Sequence, residues 1–263
     1  MSVPPAEQSP PDFLQLVADQ QRWQILTQLA ASDYRVGELT QLLGKPQNLL
    51  SYHLAQLREA GLVTARRSAA DGRDSYYRVE LLRFRDLLGA TSATLHPGLQ
   101  LTPAPAERIP SRNRRAPVVL FLCTGNSARS QMAEALLEHR SDRAFTARSA
   151  GSRPKPLHPN AVKVMAEHGI DISGRPTKHL DRFARSRFDR VITLCDKVKE
   201  ICPEFPGHPA TAHWSMPDPA SEGRTDEESY PAFCRIAEDL ERRISLLIAQ
   251  MSSDQRERRL RAR

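Results

Sequence analysis

Residues 118–130 read VVLFLCTGNSARS, and this stretch decides the fold of the second half of the chain. Val118–Leu122 is an unbroken apolar run of the length typical of a buried parallel strand. It leads directly into the polar stretch Cys123–Ser130, after which a helix is predicted over Gln131–His139. The order of strand, loop and helix start predicts an anion-binding loop at the end of a strand.

This loop combines a nucleophile with a positive electrostatic field. Successive backbone N–H groups and a helix N-terminus bind a tetrahedral oxyanion, and Gly125 is expected to permit the tight loop. Arg129 adds a planar guanidinium, the same field favours the thiolate of Cys123, and Ser130 can donate a hydrogen bond to it. A purely structural cysteine is the less favoured interpretation. The predicted oxyanion site is formed by Thr124, Gly125, Asn126, Ser127, Ala128, Arg129 and Ser130.

The loop resembles that of the low-molecular-weight protein tyrosine phosphatase superfamily, and the resemblance extends from about Pro117 to Gln250. It implies an α/β three-layer domain with a mostly parallel sheet, and one of two chemistries: phosphomonoester hydrolysis or arsenate reduction. Trp214–Ala220 (WSMPDPA) matches the superfamily's general-acid loop, in which Asp218 would protonate the leaving oxygen. Ala220 and Ser221 follow where the phosphatases usually carry aromatic residues, which favours a small inorganic oxyanion.

Two further cysteines separate these chemistries. Cys195 follows an apolar strand and Cys202 comes seven residues later. If the stretch between them is helical, their Cα atoms lie ~10.5 Å apart, beyond the ~7 Å limit for a disulfide, so their pairing requires unwinding. Taken alone, the two cysteines would be interpreted as small buried hydrophobic residues.

The C-D-x5-C-P arrangement of Cys195 to Pro203 resembles the thioredoxin-coupled arsenate reductases. That resemblance implies a relay in which Cys195 attacks Cys123 and Cys202 then pairs with Cys195. Thioredoxin or a small thiol would be the external reductant, with no bound cofactor.

The same resemblance suggests Asn126, Glu134 and Ser149 as supporting residues. Some relatives hold a potassium ion there with an additional carboxylate, whose place Lys178 takes in this sequence. We therefore predict an ammonium group in place of the ion, and no metal site. Cys234 is interpreted as a core residue.

Residues 12–95 carry a second pattern, typical of a DNA-binding domain. Helices are predicted over 12–30, Val36–Leu43 and Gln47–Ala60, and strands over Leu62–Arg67 and Ser75–Glu80. In the third helix an apolar stripe leaves a polar, solvent-facing side that can contact bases in a major groove. The predicted DNA-contacting residues of that helix are Gln47, Asn48, Ser51, Tyr52 and His53, and the phosphate-contacting residues of the hairpin are Arg66, Arg67 and Arg73.

The segments SYHLAQLREAGLVTARR (51–67) and DGRDSYYRVEL (71–81) resemble the ArsR-type winged helix-turn-helix repressors. The resemblance implies a homodimer on a palindromic operator, with the first helix and Leu81–Leu95 packed across the two-fold axis. Residues 1–95 contain no cysteine and a single histidine, so a soft-metal site is not expected there. Without the wing, a small helical domain of no particular function would be an equally good interpretation.

Charge locates the boundary between the two halves. The 263-residue chain has a net charge of +7, but residues 1–95 carry ten basic and ten acidic side chains and residues 117–249 carry 19 and 18. The excess lies in the proline-containing segment 96–116 and in the arginine-rich segment 250–263, so the overall charge is weak evidence for nucleic acid.

The chain is therefore expected to have five parts: a disordered N-terminus 1–11, a winged helix-turn-helix domain 12–95, a linker 96–116, a reductase- or phosphatase-like domain 117–250, and a disordered basic tail 251–263. No signal peptide or membrane-spanning run is found, so we expect a cytoplasmic chain without a membrane partner.

Together these patterns predict an arsenate reductase fused to an ArsR-type repressor, with arsenate or a similar tetrahedral oxyanion, operator DNA and thioredoxin as partners. Two alternatives stay open. One is a phosphomonoesterase in which Cys195 and Cys202 only guard the nucleophile against oxidation. The other is a repressor whose C-terminal domain serves only as an oxyanion or redox sensor.

Overall fold

The computed structural model describes residues 10–96 and 116–261. The chain divides into two compact units, Met1–Ala104 and Pro105–Arg263. The first nine residues and nearly all of the predicted linker lie outside the described residues, so what was predicted for them stays a prediction.

The N-terminal unit has a helix-turn-helix followed by a β-hairpin, as predicted. Leu50, Leu54 and Leu57 form the buried stripe of the second helix of that motif and are at most 1% exposed. Burying each such side chain contributes about 1.5–3 kcal/mol. In residues 10–96 the elements are α1 (Asp12–Val17), α2 (Gln20–Ala31), β1 (Tyr34–Arg35), α3 (Val36–Leu43), α4 (Gln47–Glu59), β2 (Val63–Arg67), β3 (Ser75–Val79) and α5 (Leu81–Leu95).

The predicted first helix is wrong in one respect, because it is interrupted between α1 and α2. The carboxylate of Asp19 accepts hydrogen bonds from the backbone N–H groups of Gln21, at 3.0 Å, and Arg22, at 2.9 Å. An aspartate in this position satisfies donors that the first turn of a helix leaves open, so a new helix begins after it. The apolar periodicity continues across the break and does not reveal it.

The hairpin gains a third strand that the sequence does not indicate. β1 pairs antiparallel with β3, which pairs antiparallel with β2, so the sheet order is β1-β3-β2. With only two residues, β1 is too short to show an alternating pattern.

The C-terminal unit is an α/β domain. Its four strands form a parallel sheet in the order β5-β4-β6-β7, with β4 buried along its whole length. In residues 116–261 the elements are β4 (Val118–Cys123), α6 (Arg129–Arg140), β5 (Thr146–Gly151), α7 (Pro159–Glu167), β6 (Arg190–Thr193), α8 (Asp196–Glu200), β7 (Ala210–His213) and α9 (Asp226–Arg261), with 3₁₀ turns at Leu180–Phe183 and Pro219–Ser221.

The direction of the strands places the functional groups. Because the carboxyl ends of parallel strands meet at one edge of a sheet, β4 delivers Cys123 to the same edge as β6 delivers Cys195. The predicted fold class, a winged helix-turn-helix followed by an α/β domain with a parallel sheet, is confirmed.

Helix α9 overturns the prediction of a disordered basic tail as far as Arg261. Met251 is buried, and Arg190 of β6 donates to Gln250 Oε1 at 3.0 Å and pairs with Asp254 at 3.5 Å. These contacts hold the segment against the sheet. Its high density of charged residues therefore did not indicate disorder. Within the described residues no helix combines the length and apolarity that a membrane span needs.

Candidate active site

The anion loop, residues 123–130, joins β4 to α6 with its carbonyl groups facing outward. In a trans peptide the N–H points away from the C=O, so these units direct their N–H groups to the inner side of the loop. The three outward bonds are from Arg153 N to Thr124 O, 2.8 Å, from Lys155 N to Gly125 O, 2.9 Å, and from His158 N to Ser127 O, 2.9 Å.

The turn of the loop is made by Asn126, which has a φ of +47°. Asparagine tolerates this left-handed region better than most residues. The prediction that Gly125 permits the tight turn is corrected, since its φ is not positive. A Cβ on Gly125 would lie 2.9 Å from Ser127 Oγ, the end of a side chain that can rotate away, so this position demands glycine less strictly than one that faces backbone atoms.

Gly151, which no sequence pattern singled out, lets β5 approach the loop. It pairs with Cys123 at the end of the β4–β5 ladder. A Cβ at this position would lie 2.6 Å from Thr124 O and 2.7 Å from Asn126 N, and both are backbone atoms. The loop therefore keeps its shape only if residue 151 has no side chain.

Cys123 is 2% exposed and is surrounded by hydrogen-bond donors. The N–H of Asn126 donates to its Sγ at 3.2 Å, and Ser130 Oγ lies 2.9 Å from it. Because Asn126 Nδ2 donates to Ser130 Oγ at 2.9 Å, the hydroxyl proton of Ser130 is available to the sulfur. These donors converge on the sulfur at the N-terminus of α6, which is the geometry of a site for a nucleophilic sulfur.

Arg129 connects the loop with the predicted general acid. The arginine is 6% exposed, donates to Met216 O at 3.0 Å, and its Nη2 lies 3.4 Å from Asp218 Oδ1. Its Nε is buried without a hydrogen-bond partner in the protein. A buried guanidinium with an unused donor suits an anion in the loop. The carboxylate of Asp218 is about half exposed, so it can exchange protons with solvent.

The predicted supporting residues form one continuous network behind the loop. Asn126 Nδ2 donates to Ser149 Oγ at 2.9 Å, and Ser149 donates to Glu134. The ammonium of Lys178 donates to Glu134 Oε2 at 3.0 Å, so the lysine lies beside the predicted supporting carboxylate. The backbone N–H of Lys178 also donates to Asn126 Oδ1 at 2.7 Å.

The other two predicted thiols lie on either side of α8. Cys195 is buried, immediately precedes α8, and its Sγ lies 3.2 Å from Thr124 Oγ1 at the rim of the anion loop. Cys202 is half-buried beyond α8, and burial raises the pKa of its thiol to about 11. All four cysteines, Cys234 included, are free thiols. The stretch between Cys195 and Cys202 therefore contains a helix, which is the case in which a disulfide between them requires unwinding.

The comparison with known families agrees with this geometry. The model of the low molecular weight phosphotyrosine protein phosphatases matches residues 118–257, which is more than half of the chain. The chain belongs to this family. In the N-terminal unit, residues 19–65 match the model of the bacterial regulatory proteins of the arsR family.

Several relatives of the phosphatase-family unit are reductases. An arsenate reductase of Halalkalibacterium halodurans is 40% identical over 127 residues, which are 48% of this chain and 91% of that protein. An arsenate reductase of Bacillus subtilis is 39% identical over 127 residues, with the same coverage of 48% and 91%. A solved arsenate reductase structure from Archaeoglobus fulgidus is 26% identical, covers 50% of this chain and 98% of its own, and has a TM-score of 0.42.

In the arsR-family unit, most predicted DNA-contacting side chains are accessible. Arg67 and Arg73 are exposed and Arg66 is half-buried. The guanidinium of Arg73 pairs with Asp71 at 2.9 Å, and its hydrogen bond to that carboxylate lowers the pKa of Asp71 to about 2. The exposed members of the predicted set on α4 are Gln47, Asn48, Ser51 and Tyr52.

His53 is the exception, and its predicted position on the solvent-facing side is wrong. The residue is 7% exposed, and its Nδ1 lies 3.9 Å from Asp19 Oδ1. Helical periodicity places residue 53 at the border of the apolar stripe, one position before the buried Leu54. It therefore packs inside the unit and does not face a base.

Metal ligation has no candidate in the part of the chain that the structure describes, because no three histidine, cysteine or carboxylate side chains are grouped there. The polar groups of the phosphatase-family unit are arranged around the anion loop instead. Their arrangement suits a nucleophilic thiol under a tetrahedral anion.

Proposed function

We propose that the C-terminal unit reduces arsenate to arsenite with three cysteines, and that the N-terminal unit binds operator DNA. The observation that carries the first proposal is the contact of 3.2 Å between Cys195 Sγ and Thr124 Oγ1. It places a second thiol at the rim of the loop that carries the first. A phosphomonoesterase needs one thiol, whereas reduction of an oxyanion needs a second thiol within reach of the first.

In the first step the thiolate of Cys123 attacks the arsenic of an arsenate bound in the anion loop. Arg129 holds two of its oxygens, and Asp218 gives a proton to the oxygen that leaves as water. The adduct contains a sulfur–arsenic bond, and the arsenic in it is still pentavalent.

In the second step Cys195, as a thiolate, attacks Sγ of Cys123. A sulfur–sulfur bond forms, the sulfur–arsenic bond breaks, and its electron pair goes to arsenic, which leaves as arsenite. The two electrons that reduce arsenic therefore come from two thiols. Cys202 then attacks Cys195, which releases the Cys123 thiolate and leaves a Cys195–Cys202 disulfide.

The position of Cys202 beyond the far end of α8 explains why its attack on Cys195 needs a conformational change. Burial also raises the pKa of the Cys202 thiol to about 11, so the thiol is protonated at neutral pH. Unwinding of α8 exposes the thiol and shortens its path to Cys195. The same opening presents the new disulfide to an external dithiol of the thioredoxin class or to a small thiol.

An assay that couples arsenate to NADPH through thioredoxin and its reductase tests the scheme. Cys202→Ser is expected to release about one equivalent of arsenite and then stop, because the Cys123–Cys195 disulfide cannot be replaced by a Cys195–Cys202 disulfide. Cys123→Ser is expected to release none, and Cys234→Ser, on α9, serves as the matched control with wild-type turnover. Steady turnover of Cys202→Ser at the wild-type rate would remove Cys202 from the relay.

The contact of 3.4 Å between Arg129 and Asp218 also supports slow hydrolysis of aryl phosphates, in which only Cys123, Arg129 and Asp218 take part. Cys195→Ser separates the two activities. It is expected to hydrolyse p-nitrophenyl phosphate at the wild-type rate and to lose arsenate reduction. Loss of both activities would mean that Cys195 does more than accept the disulfide.

DNA binding is supported by the exposed polar side of α4 and by the arginines of the hairpin. Two copies of α4 in a homodimer would suit the half-sites of a palindromic operator. Duplexes selected from a random pool are the probe. Gln47→Ala is expected to weaken binding to the selected duplex alone, and Arg67→Ala to weaken binding to any duplex. Arg235→Ala, in the other unit, is the control; a chain that shows no sequence preference in the selection would contradict the proposal.

A further inference from the structure

A buried polar cluster lies directly behind Cys195, and the scheme above makes no use of it. It consists of Asp196, His213 and Ser215, which are 0%, 2% and 6% exposed; we call it the Asp196 cluster. His213 Nε2 lies 3.1 Å from Asp196 Oδ1, and Ser215 Oγ donates to the same oxygen at 2.7 Å. His213 Nδ1 lies 2.8 Å from Thr193 Oγ1 on β6.

A carboxylate with no exposed surface is costly unless it is hydrogen-bonded, so its retention at this position calls for a role. A short helix can begin without a buried carboxylate in its first turn. In this chain the first residue of α8 instead reaches two side chains, one at the end of β7 and one just after it.

The cluster joins two parts of the site that are far apart in sequence. Asp196 follows Cys195 directly, and Ser215 stands three residues before Asp218. Two backbone hydrogen bonds connect the same two segments, from Trp214 N to Thr193 O at 2.8 Å and from Met216 N to Leu194 O at 3.3 Å. Met216 O in turn accepts the hydrogen bond of Arg129 at 3.0 Å. The loop of the general acid is thus fastened to the strand that ends at the second thiol.

We propose that Asp196, His213 and Ser215 are positioning residues that hold Cys195 and the Asp218 loop in one arrangement, ready for both steps of the reaction. The proposal rests on the proposed reductase function. When Cys195 leaves to pair with Cys202, Asp196 moves with it and its bonds to His213 and Ser215 break. The oxidised protein then loses the alignment of its general acid together with its second thiol.

Two rates, measured on the full chain, test this role. One is arsenite release in a single turnover, which needs Cys195, and the other is hydrolysis of p-nitrophenyl phosphate, which needs Asp218 but not Cys195. Asp196→Ala is expected to lower both by about tenfold, with KM for the aryl phosphate little changed. Asp196→Asn keeps an oxygen at the position that accepts both bonds, so it is expected to restore each rate to within about threefold of wild type.

Ser141→Ala, which deletes another buried serine hydroxyl of the same unit, is the matched control and is expected to change neither rate. Circular dichroism and thermal unfolding show whether each variant is folded. If Asp196→Ala does not fold, Ser215→Ala decides the matter, since it removes the 2.7 Å bond to Asp196 and is expected to slow hydrolysis about threefold.

The outcomes are distinguishable. A folded Asp196→Ala whose two rates match those of Ser141→Ala overturns the proposal, as does a Ser215→Ala with unchanged hydrolysis where the first variant fails to fold. Equal losses in Asp196→Asn and Asp196→Ala also overturn it, because position alone would then not explain the effect. Absence of arsenite release by the wild-type chain refutes the reductase function instead, and hydrolysis alone then tests the link to the Asp218 loop.

Discussion

The anion loop, residues 123–130, and the relay segment, residues 195–202, both carry thiols but differ in how firmly the surrounding structure holds them. In the loop the carbonyl groups are held from outside, the turn is fixed by Asn126, and the nucleophile is buried. The relay segment holds a helix of five residues, leaves Ile201 59% exposed and only half-buries its last thiol. A helix this short has little stability of its own.

Under the proposed relay, the difference shows how one protein could both stabilise a transition state and transfer a disulfide to an external reductant. Stabilising charge in a transition state needs donors that do not move, which the loop provides. Passing oxidation from a buried thiol to an external reductant needs a segment that opens at low cost, and such segments are weakly packed. Variants that disturb the anion loop, and measurements of the reactivity of the relay segment, therefore test the contrast between a rigid loop and a mobile segment.

The largest effect is expected from Gly151→Ala, which displaces the backbone of the rigid anion loop. The new Cβ would meet Thr124 O at 2.6 Å, so either the loop or β5 must shift. We expect a loss of about 1–3 kcal/mol in the free energy of unfolding and of about 100-fold in arsenate turnover. Urea unfolding and the coupled NADPH assay measure the two quantities.

Gly174→Ala is the matched control, because a Cβ on Gly174 meets no atom within 4 Å. It is expected to change both quantities little. Full activity of Gly151→Ala would show that the loop tolerates a shift, and the contrast between a rigid loop and a mobile segment would then be lost.

The rigid half of the site could be predicted from sequence far better than its surroundings. The apolar run before Cys123, the spacing to Arg129 and the following helix are local, so they predict a strand, a loop and a helix start without knowledge of the rest of the fold. The ammonium of Lys178 near Glu134 was also predictable, because the resemblance to the arsenate reductases aligns Lys178 with a residue that lies near Glu134 in some relatives.

Other features depend on residues that are distant in sequence. Gly151 is required because β5 pairs with β4, and Asp196 is buried because His213 comes from the neighbouring strand. No local pattern reports such contacts. His53 in the N-terminal unit shows a milder limit: periodicity places it at the border of the apolar stripe, and its packing near Asp19 of another helix is not visible in the local pattern.

A smaller effect is expected from Lys178→Met, which acts behind the loop. It removes the ammonium that lies 3.0 Å from Glu134 Oε2 and leaves the guanidinium of Arg175, at 3.8 Å, as the positive charge beside this buried carboxylate. We expect a loss of about 1–2 kcal/mol in the free energy of unfolding, less than the cost of breaking a fully buried pair because Arg175 remains.

The double variant Lys178→Met with Glu134→Gln is expected to recover part of that loss, since it removes the uncompensated charge. Lys163→Met, an exposed lysine over the ring of Tyr230, is the control and is expected to cost less than about 1 kcal/mol. If the double variant is no more stable than Lys178→Met, charge compensation is not what Lys178 provides.

The smallest effect concerns the relay segment and is read as a rate of alkylation at Cys202. Burial raises the pKa of this thiol from 9.0 to about 11, so at pH 8 its thiolate fraction is about 100-fold lower than that of an ordinary cysteine. Part of this is offset because a more basic thiolate is the stronger nucleophile, which leaves a net slowing of about tenfold. Mass mapping after brief treatment with iodoacetamide measures the rate at Cys202 alone.

The pH profile of that reaction sharpens the comparison further. In the folded protein the rate at Cys202 is expected to rise until about pH 11, and in urea, where burial is lost, to level off near pH 9. Because the folded state binds this proton more tightly than the unfolded state, the free energy of unfolding is also expected to fall as the pH rises from about 9 to about 11. A native profile that levels off near pH 9 would mean that α8 is already open in the reduced protein, so that the relay thiol needs no unwinding to react.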